Sequence, residues 1–112
     1  MKKFNTNEFH LNSQNVFSVK NAIKIASTPN GNFYGKTGTG RVNGQDINGW
    51  FIGYVETSDN SYYFATNIQS DSNATGKKAF EITSDILKNY IYGINKYERA
   101  DSCYQFFLFI LY

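Results

Sequence analysis

Two apolar runs separated by a short polar break most constrain what this chain can form. Gly49-Trp50-Phe51-Ile52-Gly53-Tyr54-Val55 is followed by Ser58-Asp59-Asn60, and then by Ser61-Tyr62-Tyr63-Phe64-Ala65-Thr66-Asn67-Ile68. Aromatic and β-branched residues at this density suit strands covered on both faces. Ser, Asp and Asn side chains turn a chain by bonding to nearby backbone. The pattern predicts a hairpin of two strands, about residues 49–57 and 61–68.

Helical periods flank this hairpin. Downstream, Ala79, Ile82, Ile86, Leu87 and Tyr90 fall on one stripe, with Lys77, Lys78, Glu81, Asp85 and Lys88 elsewhere on the wheel. An amphipathic helix is predicted over about residues 75–91, with Gly93 as its C-terminal cap. Upstream, Asn12 and Ser13 are good helix caps, and Val16, Val19, Ala22 or Ile23, and Ala26 recur at helical spacing. A helix is therefore predicted over about residues 13–26, ended by Thr28-Pro29-Asn30-Gly31. Between that helix and the hairpin, Asn32–Thr37 reads as a short strand. Gly38–Asn48, with Gly38, Gly40 and Gly44 among polar residues, reads as a loop or as a hairpin connection with wandering ends. Gln69–Thr75 reads as a polar loop.

The expected fold is thus α+β: a helix, three antiparallel strands and a helix, with helices covering one sheet face. Residues 1–93 form this unit. Residues 94–112 show no clear period and stand apart as an apolar tail; a shifted reading frame or a fusion would explain its composition. The run Phe106–Leu111 is far short of the ~20 residues that span a bilayer.

Composition narrows the function classes. The 112 residues suffice for one small domain. The net charge of +2 comes from scattered Lys and Arg, which argues against a nucleic-acid partner. The single Cys103 excludes an internal disulfide, and the single His10 leaves no metal-ligand spacing. No metal and no cofactor is expected. Met1-Lys2-Lys3 has the basic start of an export signal without the apolar stretch that must follow it.

The chemistry lies in Tyr34-Gly35-Lys36-Thr37-Gly38-Thr39-Gly40. Gly-Lys-Thr first suggests a phosphate loop, but the Gly of that motif would have to stand where Asn30 does, and no helix start follows. The dinucleotide fingerprint fails as well, because Gly44 follows Gly40 where the pattern requires a Gly at Asn43. On a strand, Lys36 and Gly38 point one way and Thr37 the other. A ligand carboxylate can then be held by the Lys36 charge and by the Thr37 and Thr39 hydroxyls. The backbone N–H of Thr39 can serve as an oxyanion donor. Against this stands the plain alternative of a surface strand with a solvated lysine.

The wider pattern tips that balance. The Tyr34–Gly40 run, then Asn48-Gly-Trp-Phe-Ile-Gly-Tyr-Val-Glu56, then Tyr62–Ile68, then a helix with Ala79, Ile82, Thr83, Ile86 and Leu87, resembles the C-terminal end of class D serine β-lactamases. It is equally similar to the penicillin-sensing domain of the membrane receptors that induce resistance in Gram-positive bacteria. The resemblance runs from about Phe9 to Tyr92 and spans less than half of a complete family domain. It implies that Lys36 orients the substrate carboxylate and tunes proton transfer, that Thr37 and Thr39 contact that carboxylate, and that Gly38 lets the acylated drug lie against the strand. It gives the Thr39 N–H one oxyanion position, and it makes Trp50 and Phe51 packing residues. It implies a β-lactam or a peptidoglycan stem peptide as ligand. It implies an extracytoplasmic place for the complete protein, with any membrane association made through N-terminal segments.

The chain departs from the family in three places. No serine here has a lysine three residues on, so the Ser-x-x-Lys nucleophile motif is missing. Ser58-Asp59-Asn60 spells a family motif but follows Trp50, where it reads as turn residues. The arginine that many class D enzymes carry near the start of the last helix is replaced by Lys77, Lys78 and Ala79. The expectation is a C-terminal fragment of a penicillin-recognising serine acyltransferase, foremost a class D β-lactamase, and inactive alone. The alternatives are a fragment of a β-lactam sensor or transpeptidase, and a small binding protein that has lost catalysis.

Overall fold

The computed structural model describes residues 1–91 and 105–111, with side chains through residue 88. The elements in chain order are α1 (Lys2–Asn5), α2 (Ser13–Ile23), β1 (Lys24–Thr28), β2 (Gly31–Val42), β3 (Gln45–Glu56), β4 (Ser61–Gln69), α3 (Gly76–Ile91) and β5 (Gln105–Leu111). The strands form one sheet in the order β1-β2-β3-β4-β5. The α+β architecture expected from the sequence is present, and its three antiparallel strands are β2, β3 and β4, flanked by β1 and β5.

Local chemistry sets most boundaries. Asn12 caps α2, its side chain accepting from the N–H groups of Gln14 and Asn15 at 3.0 and 3.2 Å. The helix stops at Ile23, short of the predicted end at Ala26. Lys24–Thr28 instead pairs antiparallel with β2, from Lys24↔Tyr34 to Thr28↔Gly31, so ladder bonds replace helical ones there.

Gly38–Asn48 is no loop; of the two readings it is the hairpin connection, and a far tighter one than expected. β2 runs unbroken to Val42 and β3 begins at Gln45, leaving only Asn43-Gly44 as the connection. Both residues have positive φ, 49° and 77°, which a two-residue hairpin turn of matching twist requires and Asn-Gly supplies. Arg41 Nε donates to Asp46 Oδ1 at 2.8 Å across the base of this turn. The predicted turn at Ser58–Asn60 is present, with the Thr57 N–H donating to the Asn60 carbonyl at 2.8 Å.

Packing divides the chain into two compact units. In the first, Met1–Lys36 with Ile52–Phe64 and Ile110–Tyr112, the core is a tyrosine cluster. Tyr34 and Tyr54 stack at 4.6 Å between ring centroids, and Tyr63 tilts against Tyr54 at 5.7 Å. Met1 and Ile23 pack on this cluster. Burial pushes the hydroxyl groups of Tyr34 and Tyr54 above the usual tyrosine range, and the Glu56 carboxylate adds to the effect. Asn5 Nδ2 donates to the Tyr63 hydroxyl at 2.9 Å.

In the second unit, Thr37–Phe51 with Ala65–Phe109, α3 buries the stripe predicted for it, including Ala79, Ile82 and Leu87. Phe51 meets Phe80 of α3 edge to face at 5.1 Å. The cap expected at Gly93 lies outside the described residues.

Candidate functional site

The candidate residues sit in the middle of β2. Its ladder with β1 ends at Tyr34, two residues short of Lys36. Among the described residues, β3 is therefore the strand partner of β2 from there to the turn. Lys36, Thr37, Gly38 and Thr39 are all exposed. Strand alternation puts Thr37 and Thr39 on one face and Lys36 and Gly38 on the other.

The two faces meet different neighbours. On the Gly38 side, the nearest atom to a side chain there would be Trp50 Cβ, at 3.8 Å. Trp50 itself is 41% exposed, so it borders Gly38 on open surface and is not the packing residue expected; Phe51, 1% exposed, has that role alone. The bare Gly38 beside an exposed indole leaves a low place on the strand, flanked by an apolar wall.

On the threonine side, α3 begins. Thr75 starts this helix, its Oγ1 accepting from the Lys78 N–H at 3.1 Å and its carbonyl accepting from the Ala79 N–H at 3.1 Å. The next residue, Gly76, donates its N–H to Thr39 Oγ1 at 2.9 Å. The Thr39 hydroxyl oxygen, read from the sequence as a ligand contact, is thus already an acceptor within the fold, while its proton remains able to donate.

The approach to α3 is held along β3. Ser70 and Ala74 donate their N–H groups to the Ile47 and Asp46 carbonyls at 3.2 and 2.8 Å. Asn67 Nδ2 donates to the Asn48 side chain, and to the Gly49 carbonyl at 3.1 Å. Gln69 Nε2 donates to Asn67 Oδ1 at 3.1 Å, which fixes the orientation of that amide. None of these supports stood out in the sequence, where residues 69–75 read only as a polar loop. The helix start at Gly76 leads directly into Lys77 and Lys78. Chemically, the stretch offers a cation, hydroxyls and an exposed strand backbone to one anionic ligand.

Residues 2–88 match the family described as the penicillin binding protein transpeptidase domain. The chain belongs to that family. It is 42% identical over 88 residues to the methicillin resistance mecR1 protein of Staphylococcus aureus, covering 79% of this chain and 15% of that protein. It is 45% identical over 87 residues to the regulatory protein BlaR1 of Bacillus licheniformis, covering 78% of this chain and 14% of that protein. The chain thus spans only a small part of the length of these relatives. Among solved structures, the C-terminal domain of the Bacillus licheniformis BlaR penicillin-receptor matches with a TM-score of 0.72 and 44% identity, over 80% of this chain and 36% of that one. The class D β-lactamase from Bacillus subtilis matches with a TM-score of 0.69 and 33% identity, over 86% and 37%. The fold expected from the resemblance is the fold these neighbours have.

Proposed function

We propose that this chain is the C-terminal part of a penicillin-recognising serine acyltransferase domain, of the receptor kind, whose Lys36–Thr39 stretch takes the β-lactam. The observation that carries the reading is the exposed stretch of β2 beyond the end of β1, presenting Lys36, Thr37, Gly38 and Thr39 in sequence. A ligand lying along the edge of β2 beyond β1 is met from both faces: the Lys36 charge attracts its carboxylate from one, the Thr37 and Thr39 hydroxyls donate to it from the other, and Gly38 lets the ring lie close to the backbone. The Thr39 N–H stabilises the oxyanion that forms at the lactam carbonyl.

The nucleophile is not among these residues. In the complete protein a serine Oγ bonds to the lactam carbonyl carbon, the ring C–N bond breaks, and the ring nitrogen takes the proton the serine gives up. In a hydrolase, water then cleaves the ester; in a receptor, the ester persists and signals. Two observations favour the receptor over the class D hydrolase. Identity to the receptor domain is 44%, against 33% to the hydrolase, and Lys77, Lys78 and Ala79 replace the arginine many such hydrolases carry. The complete receptor would hold this segment outside the membrane.

The test has two arms. Benzylpenicillin titrated into the labelled chain should shift the amide resonances of Lys36–Thr39; shifts elsewhere only would sink the site. In the complete gene product, a long-lived acyl-enzyme supports the receptor, and sustained nitrocefin hydrolysis would establish the hydrolase instead.

A further inference from the structure

Gly76 lies 37 residues from Thr39 in sequence, and no motif joins the two. In the fold they touch twice over. The Gly76 N–H donates to Thr39 Oγ1 at 2.9 Å. The place a Cβ would occupy on Gly76 lies 2.6 Å from the Gly38 carbonyl oxygen, 2.8 Å from the Gly38 nitrogen and 2.9 Å from Thr37 Cβ. Two of those three neighbours are backbone atoms, which cannot swing aside as a side chain does. Only a residue without a Cβ lets the first turn of α3 rest against β2 at this point.

We infer that Gly76 is a positioning residue for the Thr39 backbone N–H, acting through the Thr39 hydroxyl. The inference rests on the ligand-binding reading of Lys36–Thr39 given above. An oxyanion donor works only when it is held where the charge develops, and small displacements are costly. β2 has lost its β1 neighbour by this point, so among the described residues the ladder to β3 is the strand pairing that restrains Thr39. The helix supplies the second restraint. It clamps the side chain of the residue whose N–H is to be aimed, and it abuts the backbone of the residue before it. The restraint is in turn anchored, because Asp46 and Ile47 of β3 hold the loop that delivers Gly76.

Three variants of the full 112-residue chain test this, with benzylpenicillin as the probe and amide NMR as the readout. Gly76→Ala drives the helix off the strand without touching any group assigned to the ligand. It should weaken benzylpenicillin binding about tenfold and shift the Thr39 amide resonance of the ligand-free chain. Thr39→Val removes the acceptor and should abolish the exchange protection of the Gly76 amide. Thr39→Ser restores the acceptor and should recover both that protection and most of the lost affinity. If Gly76→Ala does not fold, the Thr39 backbone amide resonance and the Gly76 exchange protection in the ligand-free Val and Ser variants decide, because the affinity of that pair also reports the hydroxyl's own contact with the ligand; an unshifted amide at residue 39 in Thr39→Val overturns the inference.

Gly76→Ala binding as tightly as the wild type would overturn the inference and leave the proposed site standing. So would equal binding by Thr39→Val and the wild type. A wild-type chain that binds no benzylpenicillin at all would overturn the proposed site, and the inference with it.

Discussion

The hydroxyls of Thr66 on β4 and Thr83 on α3 meet 2.5 Å apart, both fully buried. Thr83 Oγ1 also lies 2.7 Å from the Ala79 carbonyl, to which it donates. Its proton is therefore committed, and Thr66 must be the donor between the pair. Thr83→Val strands the Thr66 hydroxyl in the core and should cost about 1–3 kcal/mol in urea unfolding. Thr66→Val leaves Thr83 with its carbonyl partner and should cost less. The double variant should recover much of the loss, since two apolar partners replace two polar ones. Additive losses would show that the hydroxyls do not form a unit.

Tyr54 and Tyr63 share a cluster but not a fate. The Tyr54 hydroxyl is buried and, among the described residues, has no hydrogen-bond partner. Tyr54→Phe should leave stability unchanged or raise it by up to about 1 kcal/mol. Tyr63→Phe removes the acceptor of the Asn5 side chain and should cost about 0.5–1.5 kcal/mol. Thermal unfolding of the two variants checks the order, which a larger loss for Tyr54→Phe would reverse.

Alkaline pH should loosen the same cluster. Folding raises the pKa of Tyr34 and Tyr54 above the unfolded value of 10.0, by burial first and by the Glu56 charge second. The folded chain then holds protons that the unfolded chain releases, so stability is fully present below that value and is lost as pH rises through and beyond it. Urea midpoints measured from about pH 8 to about pH 11 should fall, and the fall should be shallower in Tyr54→Phe. A flat profile across that range would contradict the buried state of these phenols.

Lys36 carries the charge on which the proposed site depends. Lys36→Ala should weaken benzylpenicillin binding by about tenfold or more, the loss of one charge-assisted contact. The chain alone should give no nitrocefin turnover above buffer, since no serine here has the lysine partner of the nucleophile motif. Turnover that Lys36→Ala abolishes would reverse that expectation.

What could be read from the sequence was whatever depends on near neighbours. The stripe of Ala79, Ile82 and Leu87 announced α3, and Asn12 announced the start of α2, because both signals are complete within a few residues. The run Lys36–Thr39 stood out as a block for the same reason. Gly38 and Gly40 misled, because glycine in a strand looks like glycine in a loop until the partner strand is seen. The true turn, Asn43-Gly44, was hidden among them. Ala26 continued a helical spacing into β1, where pairing with Phe33 overrode it. The contact between Gly76 and Thr39 had no local signal at all, since it exists only once α3 has folded back on β2.

The order of the strands has a consequence for how the chain is made. Each strand of the sheet lies beside the one synthesised just before it. From β1 to β4 each strand finds its partner within a short connection, so that part of the sheet can grow by successive addition as the polypeptide emerges from the ribosome. Pairings between neighbours in sequence close short loops, which lowers their entropic cost. Lys36–Thr39 is synthesised before β4 and α3, and the clamp at Gly76 can close on it only once α3 has been made.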